Sequence, residues 1–491
     1  MKFRVYNNGR MVNKFDLRGA YLFGSDGIAL RRGKVSFSNG FIQCQKAHHE
    51  TAALALLCPV EGFGSVLLPS TFLPERKEPY ILNVELARAR LMQVINKREE
   101  WSYFDGLGEL AQMYEEAREL FIRSIQNISS PSKASKLADE SLRQGIVFSE
   151  KLAIRQSESV FKLRKASRGF GRGCLGCRVS PERLTDDGYL EVIGGLFGSA
   201  TIPVNWREIE RRKGQYDFSR MDVCVRKLSG KRISLGAGPV LRFSSSHLPE
   251  WLIREASDFE RIREHAYQFT SEIVRRYNSS IRTWSVISGL NLFNYFGFSF
   301  EQIVEMTRAA NMAAKAGSPK AKKIIDIANP WGEYYMNMEN ALPPLVYVDM
   351  VIHGQIPFDA FGLQMRFGKD EPGMHIRDMM QISAVLDFFS AAGRPVCITD
   401  VEIPSGQGDG PYRSQAAGLW HKQWDAGHQA EWLRQFYHVA LSKPFVERVC
   451  YSYLADTEKS IIANSGLLTA ELQSKKSINV IKELSSSIFG R

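Results

Sequence analysis

Between residue 175 and the C-terminus, short apolar runs alternate with helical patterns, and this alternation restricts the fold more than any other feature of the sequence. A short apolar run bounded by turn residues is typical of a buried strand. About eight β/α units in roughly 315 residues predict an α/β fold, the (β/α)8 TIM barrel. The predicted strands are 177–179, 199–204, 233–238, 283–287, 323–328, 360–364, 396–399 and 448–453.

The 491-residue chain is too long for one ordinary domain, and its character changes twice before the barrel. Residues 1–80 hold short β-prone runs between Gly, Asn and Asp, which predicts a small β-rich domain. Residues 81–167 predict a helical connector, with Asn83 capping its first helix, and the barrel then occupies 168–491. The connector helices are expected at 82–95, 107–125 and 132–165.

The net charge of +11 permits weak attraction to anionic polymers. Part of this charge lies in segment 162–172. No nucleic-acid-binding module with interleaved aromatic residues accompanies the segment, so we interpret it as a solvated linker and expect no nucleic-acid partner.

No run of 18 or more apolar residues exists, so we expect no membrane span. The N-terminus lacks an apolar signal region, which favours a cytoplasmic location and leaves export by another route open. The oligomeric state is not specified by any of these patterns.

Seven cysteines are scattered along the chain, an odd number that favours reduced thiols over a disulfide framework. Cys174 and Cys177 form a single CxxC pair in a glycine-rich joint. Structural zinc needs four ligands, and no second CxxC or paired His follows at the required spacing. We therefore interpret the pair as structural thiols and expect no metal and no cofactor.

Segment 393–404 places two acids at the end of a predicted strand. The apolar run 396–398 leads to Asp400 and Glu402, and Pro404 ends the pattern. Catalytic residues of (β/α)8 barrels lie at the C-terminal ends of the strands. The two acids are therefore candidates for chemistry, and the alternative is that they only cap the strand by bonding nearby backbone.

Six spaced motifs, taken in order, resemble the catalytic barrel of family 10 glycoside hydrolases, the retaining xylanase-like enzymes, over residues 175–485. Each motif is weak alone, and their order makes the resemblance specific for the fold. It implies a hydrolase of carbohydrate metabolism whose ligand is a poly- or oligosaccharide. The motifs are WREIERRKGQYDF at 206–218, LPEWL at 248–252, IRTWSVI at 281–287, FDAFGLQ at 358–364, ITDVEI at 398–403, and GLL at 466–468 followed by Lys475 and Lys476.

The sequence departs from this family at both catalytic positions. Retaining glycosidases use two carboxyl groups about 5–5.5 Å apart, one as nucleophile and one as acid/base. The resemblance puts the acid/base at Gly289, which cannot transfer a proton, and general acid catalysis typically contributes about 10²–10⁴-fold. The nucleophile position holds Asp400 in place of Glu, which sets the carboxylate back by about one C–C bond, roughly 1.5 Å. A displacement near 1 Å can cost about 10²-fold.

Most of the family's sugar contacts are replaced as well. Its His before the LPxW motif aligns with Ser245, its His after GLQ aligns with Arg366, and its Lys before the strand-two Trp aligns with Asn205. Xylan specificity is therefore not implied for this chain. The candidate substrate-binding residues are Trp206, Asn205, Trp331, Gln364, Arg366 and Glu402.

One loop offers a replacement for the missing acid. The predicted fifth strand ends in a loop that contains Trp331 and Glu333. A Trp beside a carboxyl group can stack on a sugar and raise the pKa of the acid by desolvation. Glu333 is therefore a candidate catalytic acid opposite Asp400, or else a surface residue beside a packing aromatic. Arg366 also has two interpretations, because it either pairs with Asp400 or Glu402 and lowers their pKa, or binds an anionic sugar.

Three functional hypotheses stay open. The first is a divergent glycoside hydrolase with Asp400 as nucleophile and Glu333 as acid. The second is a catalytically inactive pseudoenzyme whose barrel binds a glycan or a protein, and Gly289 and the lost histidines favour it. The third is a structural or assembly protein built on the N-terminal sheet and helices, which no individual residue supports.

Overall fold

The computed structural model of the chain describes residues 1–47, 50–101, 104, 108, 110–167, 169–255, 258–408 and 414–490. Its strands are β1 (Lys2–Arg4), β2 (Tyr6–Asn7), β3 (Arg10–Met11), β4 (Tyr21–Phe23), β5 (Lys34–Ser38), β6 (Phe41–Gln45), β7 (Ala53–Val60), β8 (Gly64–Pro69), β9 (Tyr80–Ile81), β10 (Leu175–Arg178), β11 (Ser199–Ile202), β12 (Ser234–Ala237), β13 (Thr283–Ser288), β14 (Lys322–Ala328), β15 (Ala360–Arg366), β16 (Val396–Glu402), β17 (Leu419–Trp420) and β18 (Val446–Tyr451). Its helices are α1 (Leu82–Glu100), α2 (Leu110–Gln126), α3 (Pro131–Ser167), α4 (Asp187–Leu196), α5 (Trp206–Ile209), α6 (Ser219–Ser229), α7 (Glu250–Glu255), α8 (Phe259–Arg276), α9 (Phe300–Gly317), α10 (Pro344–His353), α11 (Met379–Ser390), α12 (Ala426–Ser442) and α13 (Lys476–Phe489).

Eight parallel strands close into a barrel in the order β10-β11-β12-β13-β14-β15-β16-β18. β10 pairs with β18 and so completes the closure. Every residue of β15 is buried, as expected for a strand with helices outside the barrel and packed side chains inside it. The predicted (β/α)8 barrel is confirmed, and each predicted barrel strand overlaps an observed one.

Helices cover the outside of the barrel, and several begin at a side-chain cap. Ser299 and Gln302 form a capping box at the start of α9, and Asp378 and Gln381 form another at the start of α11. Such caps typically contribute about 1 kcal/mol each. The caps fix where these helices begin and therefore where the preceding loops end.

The N-terminal part contains two four-stranded sheets, ordered β5-β6-β1-β9 and β17-β8-β7-β4, and a β2-β3 hairpin. The β-rich N-terminal region is therefore confirmed. β17 follows β16 in the chain, yet it pairs antiparallel with β8 of the N-terminal part. One hydrophobic core also runs through the sheets, the connector helices and the barrel. The domain boundaries at residues 80 and 167 stay a prediction.

The connector helix α3 is 37 residues long and joins the N-terminal sheets to the barrel. Its Glu150 accepts a hydrogen bond from the Trp420 indole at 2.6 Å and pairs with His421 at 2.7 Å. Arg90 of α1 forms an almost fully buried ion pair with Asp378 at 2.5 Å. Removing one partner of such a pair leaves an uncompensated buried charge, so these contacts fasten the connector to the barrel.

The expected cap of the first connector helix is wrong. Helix α1 begins after Ile81 and has no side-chain cap. Asn83 lies inside the first turn, where its amide donates to the Tyr6 carbonyl at 3.0 Å and to Asp139 at 2.6 Å. The side chain therefore joins α1 to the N-terminal strands and to α3. Arg168 of the proposed basic linker lies outside the described residues.

Candidate functional site

Two acids and an arginine meet at the C-terminal end of neighbouring barrel strands. Asp400 and Glu402 lie at the end of β16, beside Arg366 at the end of β15. The Arg366 guanidinium forms an ion pair with Asp400 through Nη2, and its Nε lies 3.3 Å from Glu402 Oε1. All three side chains are buried. The predicted pairing of Arg366 with the strand-end acids is therefore present.

The electrostatics of this trio are set by burial. Desolvation raises the pKa of Glu402, while Arg366 and the backbone N–H of Ile462, at 2.9 Å, oppose that rise. Desolvation lowers the pKa of Arg366, and Glu402 opposes this change. The sequence predicted that pairing with Arg366 lowers the pKa of these acids. At Glu402 burial outweighs the pairing, and the net shift of its pKa is upward.

Gly289, which the sequence resemblance aligns with the family's acid/base, stands in a tightly packed turn. Gly289 has a left-handed φ of +64°, and a Cβ added there would lie 2.7 Å from Cδ2 of Phe293 and 3.0 Å from Cβ of Ala328. The same turn is fixed by the hydrogen bond from the Phe293 N–H to the Gly289 carbonyl at 2.7 Å. A side chain at this position is therefore strained by the backbone conformation and would require the Phe293 ring to shift.

Beneath the ion pair lies a cavity of about 30 Å³, enough for about one water molecule. Asp326, Asp400 and Gln364 line it. Gln364 donates to Ser288 at 2.8 Å and accepts from Arg366 at 3.4 Å. Burial raises the pKa of Asp326. One oxygen of each acid, Oδ1 of Asp326 and Oδ1 of Asp400, is buried and has no hydrogen-bond partner within the described part of the chain. One carboxylate oxygen of Asp400 is therefore without a hydrogen bond among the described residues.

Glu333 begins a short helical turn in the loop after β14 and is bound by residues of the next loop. Its carboxylate pairs with Arg377 and accepts the Gly373 N–H, both from the loop after β15. Only 2% of Glu333 is exposed. Over the described ranges, no hydrogen bond or ion pair joins Glu333 to Asp400 or Arg366. Its role as the acid stays a prediction, since its oxygens are directed to Arg377 and Gly373.

Trp331 is half-buried beside this pair. The Arg377 guanidinium lies 5.0 Å from the centre of its ring, and Phe367 meets it edge-on at 5.5 Å. A cation on one face and an aromatic edge against the ring leave less of it available for stacking on a sugar. Its role in substrate binding stays a prediction.

Trp206 and Asn205 begin the helical turn after β11, and the structure gives them different surroundings. Trp206 is 1% exposed, stacks on Phe269 at 5.0 Å and donates its indole N–H to Glu210 at 2.6 Å, so it packs beneath the rim. Asn205 caps the turn by accepting the Arg207 N–H, and it lines a cavity at the barrel mouth. Of the two, only Asn205 is placed to contact a ligand.

Sequence reasoning missed two arginines at the barrel mouth. Arg178 ends β10 and lines the cavity that Asn205 lines, and Arg242 follows β12 and lies over the Phe293 ring, 3.9 Å from its centre. The signal for Arg178 was present, because it directly follows an apolar strand run. Arg242 is in a loop, where the sequence alone does not place its side chain.

The two CxxC cysteines are buried thiols. Burial raises the pKa of Cys174 to about 12 and that of Cys177 well above its ordinary value, so neither is a reactive thiolate at neutral pH. Throughout the described ranges no group of three or more His, Cys, Asp or Glu is placed to hold a metal ion. In the same residues no helix is both long and apolar enough to cross a membrane.

Comparisons with known proteins agree with this architecture. The model of glycosyl hydrolase family 10 matches residues 163–459. No curated protein matches the chain significantly. Native xylanase 10B from Thermotoga maritima is 16% identical, with a TM-score of 0.50 over 69% of this chain and 99% of that one. An endoxylanase retrieved from a sugarcane soil metagenome is also 16% identical, with a TM-score of 0.50 over 67% of this chain and 98% of that one. At these identities the solved structures show the fold alone.

Proposed function

Because the chain belongs to glycosyl hydrolase family 10, we propose that its barrel binds a poly- or oligosaccharide at the C-terminal end of the strands without hydrolysing it by the retaining mechanism. The proposal is supported by the sequence resemblance, which aligns Gly289 with the acid/base of the family, and by Phe293, whose Cδ2 lies 2.7 Å from where a Cβ at position 289 would stand. No carboxyl group therefore stands at the end of β13 to protonate a leaving group.

The Arg366–Asp400 ion pair supports the same conclusion. A retaining nucleophile must reach the anomeric carbon of the sugar, and Asp400 is both shorter than Glu and held by a buried guanidinium. Together, the glycine at position 289 and this ion pair favour binding over hydrolysis in the cleft. The described polar groups of the barrel mouth, Asn205 among them, are suited to hydrogen bonds with sugar hydroxyls.

Turnover and binding are best measured on the same purified full chain. Turnover is assayed by chromophore release from aryl-glycosides and by reducing-sugar release from a polysaccharide panel. Binding to the same polysaccharides is measured by affinity gel electrophoresis. We expect saturable binding of at least one polysaccharide and no turnover above the uncatalysed rate. Turnover that Asp400→Asn abolishes would overturn the proposal.

A second candidate function is hydrolysis with Asp400 as nucleophile and Glu333 as a displaced acid. It is favoured by Oδ1 of Asp400, which faces a cavity and has no hydrogen-bond partner in the described residues. Under this hypothesis, Asp400→Asn and Glu333→Gln both abolish turnover. Turnover that neither substitution reduces would exclude this second function.

A further inference from the structure

A large cavity lies between the N-terminal strands and the connector helices. It is lined by residues within 5–18, 57–61, 82–86 and 136–143, together with Ser65, and we call it the N-terminal cavity. Its volume is about 860 Å³, within the roughly 300–1,000 Å³ of pockets that bind small molecules. Its described lining residues belong to neither cavity of the barrel, so any ligand here occupies a separate site.

The buried part of this wall is mainly apolar. The side chains of Val5, Leu57, Leu82, Leu86 and Leu142 line it, and each residue is at most 7% exposed. They come from the N-terminal strands and from both α1 and α3, so they surround the space on several sides. Apolar area buried against such a wall contributes about 25 cal/mol per Å², which favours a ligand with a hydrocarbon body.

One acid in the wall lacks a cation. Asp139 of α3 is half-buried, and its Oδ1 accepts a hydrogen bond from the Asn83 amide at 2.6 Å. The same amide donates to the Tyr6 carbonyl at 3.0 Å, so it holds Oδ1 in place. In the described part of the chain this is the only hydrogen bond of the Asp139 carboxylate, and no cation lies within ion-pair distance of it. Oδ2 of Asp139 is therefore open to a donor from a ligand.

The surroundings of Asp139 make its charge costly. Burial raises the pKa of Asp139 to about 6, and the Asn83 amide opposes the rise. Burial, followed by the charge of Asp139, raises the pKa of Cys58 to about 12, so the carboxylate acts on the buried face of β7 and receives no cation from it. Asp139 is still largely ionised at neutral pH. Charges taken out of water are normally paired or bind a ligand.

The other charged side chains of the wall do not compensate Asp139. Arg18 forms an ion pair with Asp16 at 2.5 Å, and Arg143 forms one with Glu140. The exposed charged residues of the wall are Lys14, Glu61 and Lys136. Water and salt screen exposed charges, so a ligand in the buried part of the cavity interacts most strongly with Asp139.

Lys136 is the cation nearest to Asp139 in sequence, one turn earlier on α3. Its side chain is directed to the β2–β3 hairpin, where a Cβ added to Gly9 would lie 2.5 Å from its Cε. It makes no ion pair with Asp139 in the described structure. The position of a counter-ion beside Oδ2 of Asp139 is therefore left to a ligand.

We propose that the N-terminal cavity binds an organic cation, with its ammonium group paired to Asp139 and its hydrocarbon body against the leucines of the wall. This site goes beyond the proposed carbohydrate binding and uses no residue of the barrel mouth. An ammonium group donates up to three hydrogen bonds, and charge-assisted bonds to a carboxylate are among the strong ones. A neutral molecule of the same shape leaves the charge of Asp139 unpaired, and an anion is repelled by it.

The test is isothermal titration calorimetry on the full chain at neutral pH with three probes of one shape. The probes are phenylbutylammonium, phenylbutanol and phenylbutyrate. We expect the ammonium to bind at least about tenfold more tightly than the alcohol, and the carboxylate to bind most weakly. Equal affinity for the ammonium and the alcohol, or a preference for the carboxylate, would overturn the assignment of a cation. Absence of binding by all three probes would overturn the site itself.

Variants then locate the site. Asp139→Asn keeps the shape of the side chain and should reduce affinity for the ammonium at least about tenfold, while affinity for the alcohol stays the same. Val12→Trp adds bulk to the wall and should weaken the binding of both probes, because Val12 lines the cavity. Glu119→Gln is the matched control, since it removes an exposed acid of α2 outside the cavity and should change neither affinity.

The outcomes for this site and for the barrel are independent. Ammonium binding that Asp139→Asn leaves unchanged would overturn the role of Asp139. Polysaccharide binding by Asp139→Asn should match that of the wild-type chain, so a failure at either site is recognised separately. Circular dichroism confirms that each variant is folded, and where one is not, the preference of the wild-type chain among the three probes decides.

Discussion

The ring of Phe293 packs against the backbone of Gly289, where the family places its acid/base. A Cβ at position 289 would approach Cδ2 of Phe293 to 2.7 Å, and φ there is +64°. Gly289 is therefore part of a packed turn that includes Phe293 and, over its ring, Arg242.

Gly289→Glu should destabilise the protein and remain without hydrolytic activity. A non-glycine residue in the left-handed region costs roughly 1–2 kcal/mol, and overpacking typically adds about 1–3 kcal/mol. Urea denaturation measures the loss, and aryl-glycoside assays measure turnover. Gly393→Glu is the matched control, because Gly393 has a φ of +64° with nothing within 4 Å of an added Cβ. Equal losses for the two variants would show that Phe293 does not obstruct position 289.

Arg366→Met should be among the most destabilising single changes in the barrel. It leaves Asp400 and Glu402 buried without their cation, and breaking a buried ion pair typically costs about 3–5 kcal/mol. Adding Asp400→Asn to this variant should recover part of the loss, because one uncompensated charge is removed. Arg434→Met, at an exposed pair, should lose at most about 1 kcal/mol in the same denaturation experiment. A loss at Arg366 as small as that would mean that the acids are protonated in the fold.

The barrel was predictable from sequence because its strands are continuous apolar runs, and strands such as β14 and β16 overlap their predicted ranges closely. The pairing of Arg366 with Asp400 was predictable for a related reason, since both residues end neighbouring strands. The contacts of residues in loops were not predictable from the sequence. Glu333 was predicted as a rim acid, but its partner Arg377 lies 44 residues later in another loop, and no local pattern joins them.

Arg178 and Arg242 could not be singled out from the sequence either. Neither belongs to a motif, and each is one arginine among many in a chain of net charge +11. Arg178 lines the cavity beside the end of β10, and Arg242 lies 3.9 Å over the centre of the Phe293 ring. Both placements are properties of three-dimensional packing. Asn83 was misread for a similar reason, because its partner Asp139 is 56 residues away.

Glu333→Gln distinguishes a structural role from a catalytic one. The change keeps the shape of the side chain and removes the charge that compensates the buried Arg377, so we expect a loss of about 3 kcal/mol or more in folding stability. Glycan affinity should change less than twofold, because the carboxylate is directed to Arg377 and Gly373. Arg377→Met should show a similar loss of stability. Loss of turnover in Glu333→Gln, with stability unchanged, would instead support Glu333 as the acid.

Asp139 should make the stability of the protein depend on pH between about 4 and 6. It lines a cavity of about 860 Å³ under the N-terminal strands, and burial raises its pKa to about 6 while the Asn83 amide opposes the rise. An acid with a raised pKa in the folded state keeps its proton more tightly there than in the unfolded chain. Its contribution to stability is therefore complete below about pH 4 and is lost as the pH rises through about 6.

Thermal unfolding measured across this pH range tests the prediction. Asp139→Asn should remove the decline in stability and raise the free energy of unfolding by roughly 1–2 kcal/mol at pH 7, after allowance for solvent screening. A difference in stability between wild type and Asp139→Asn that does not vary with pH would refute the assignment.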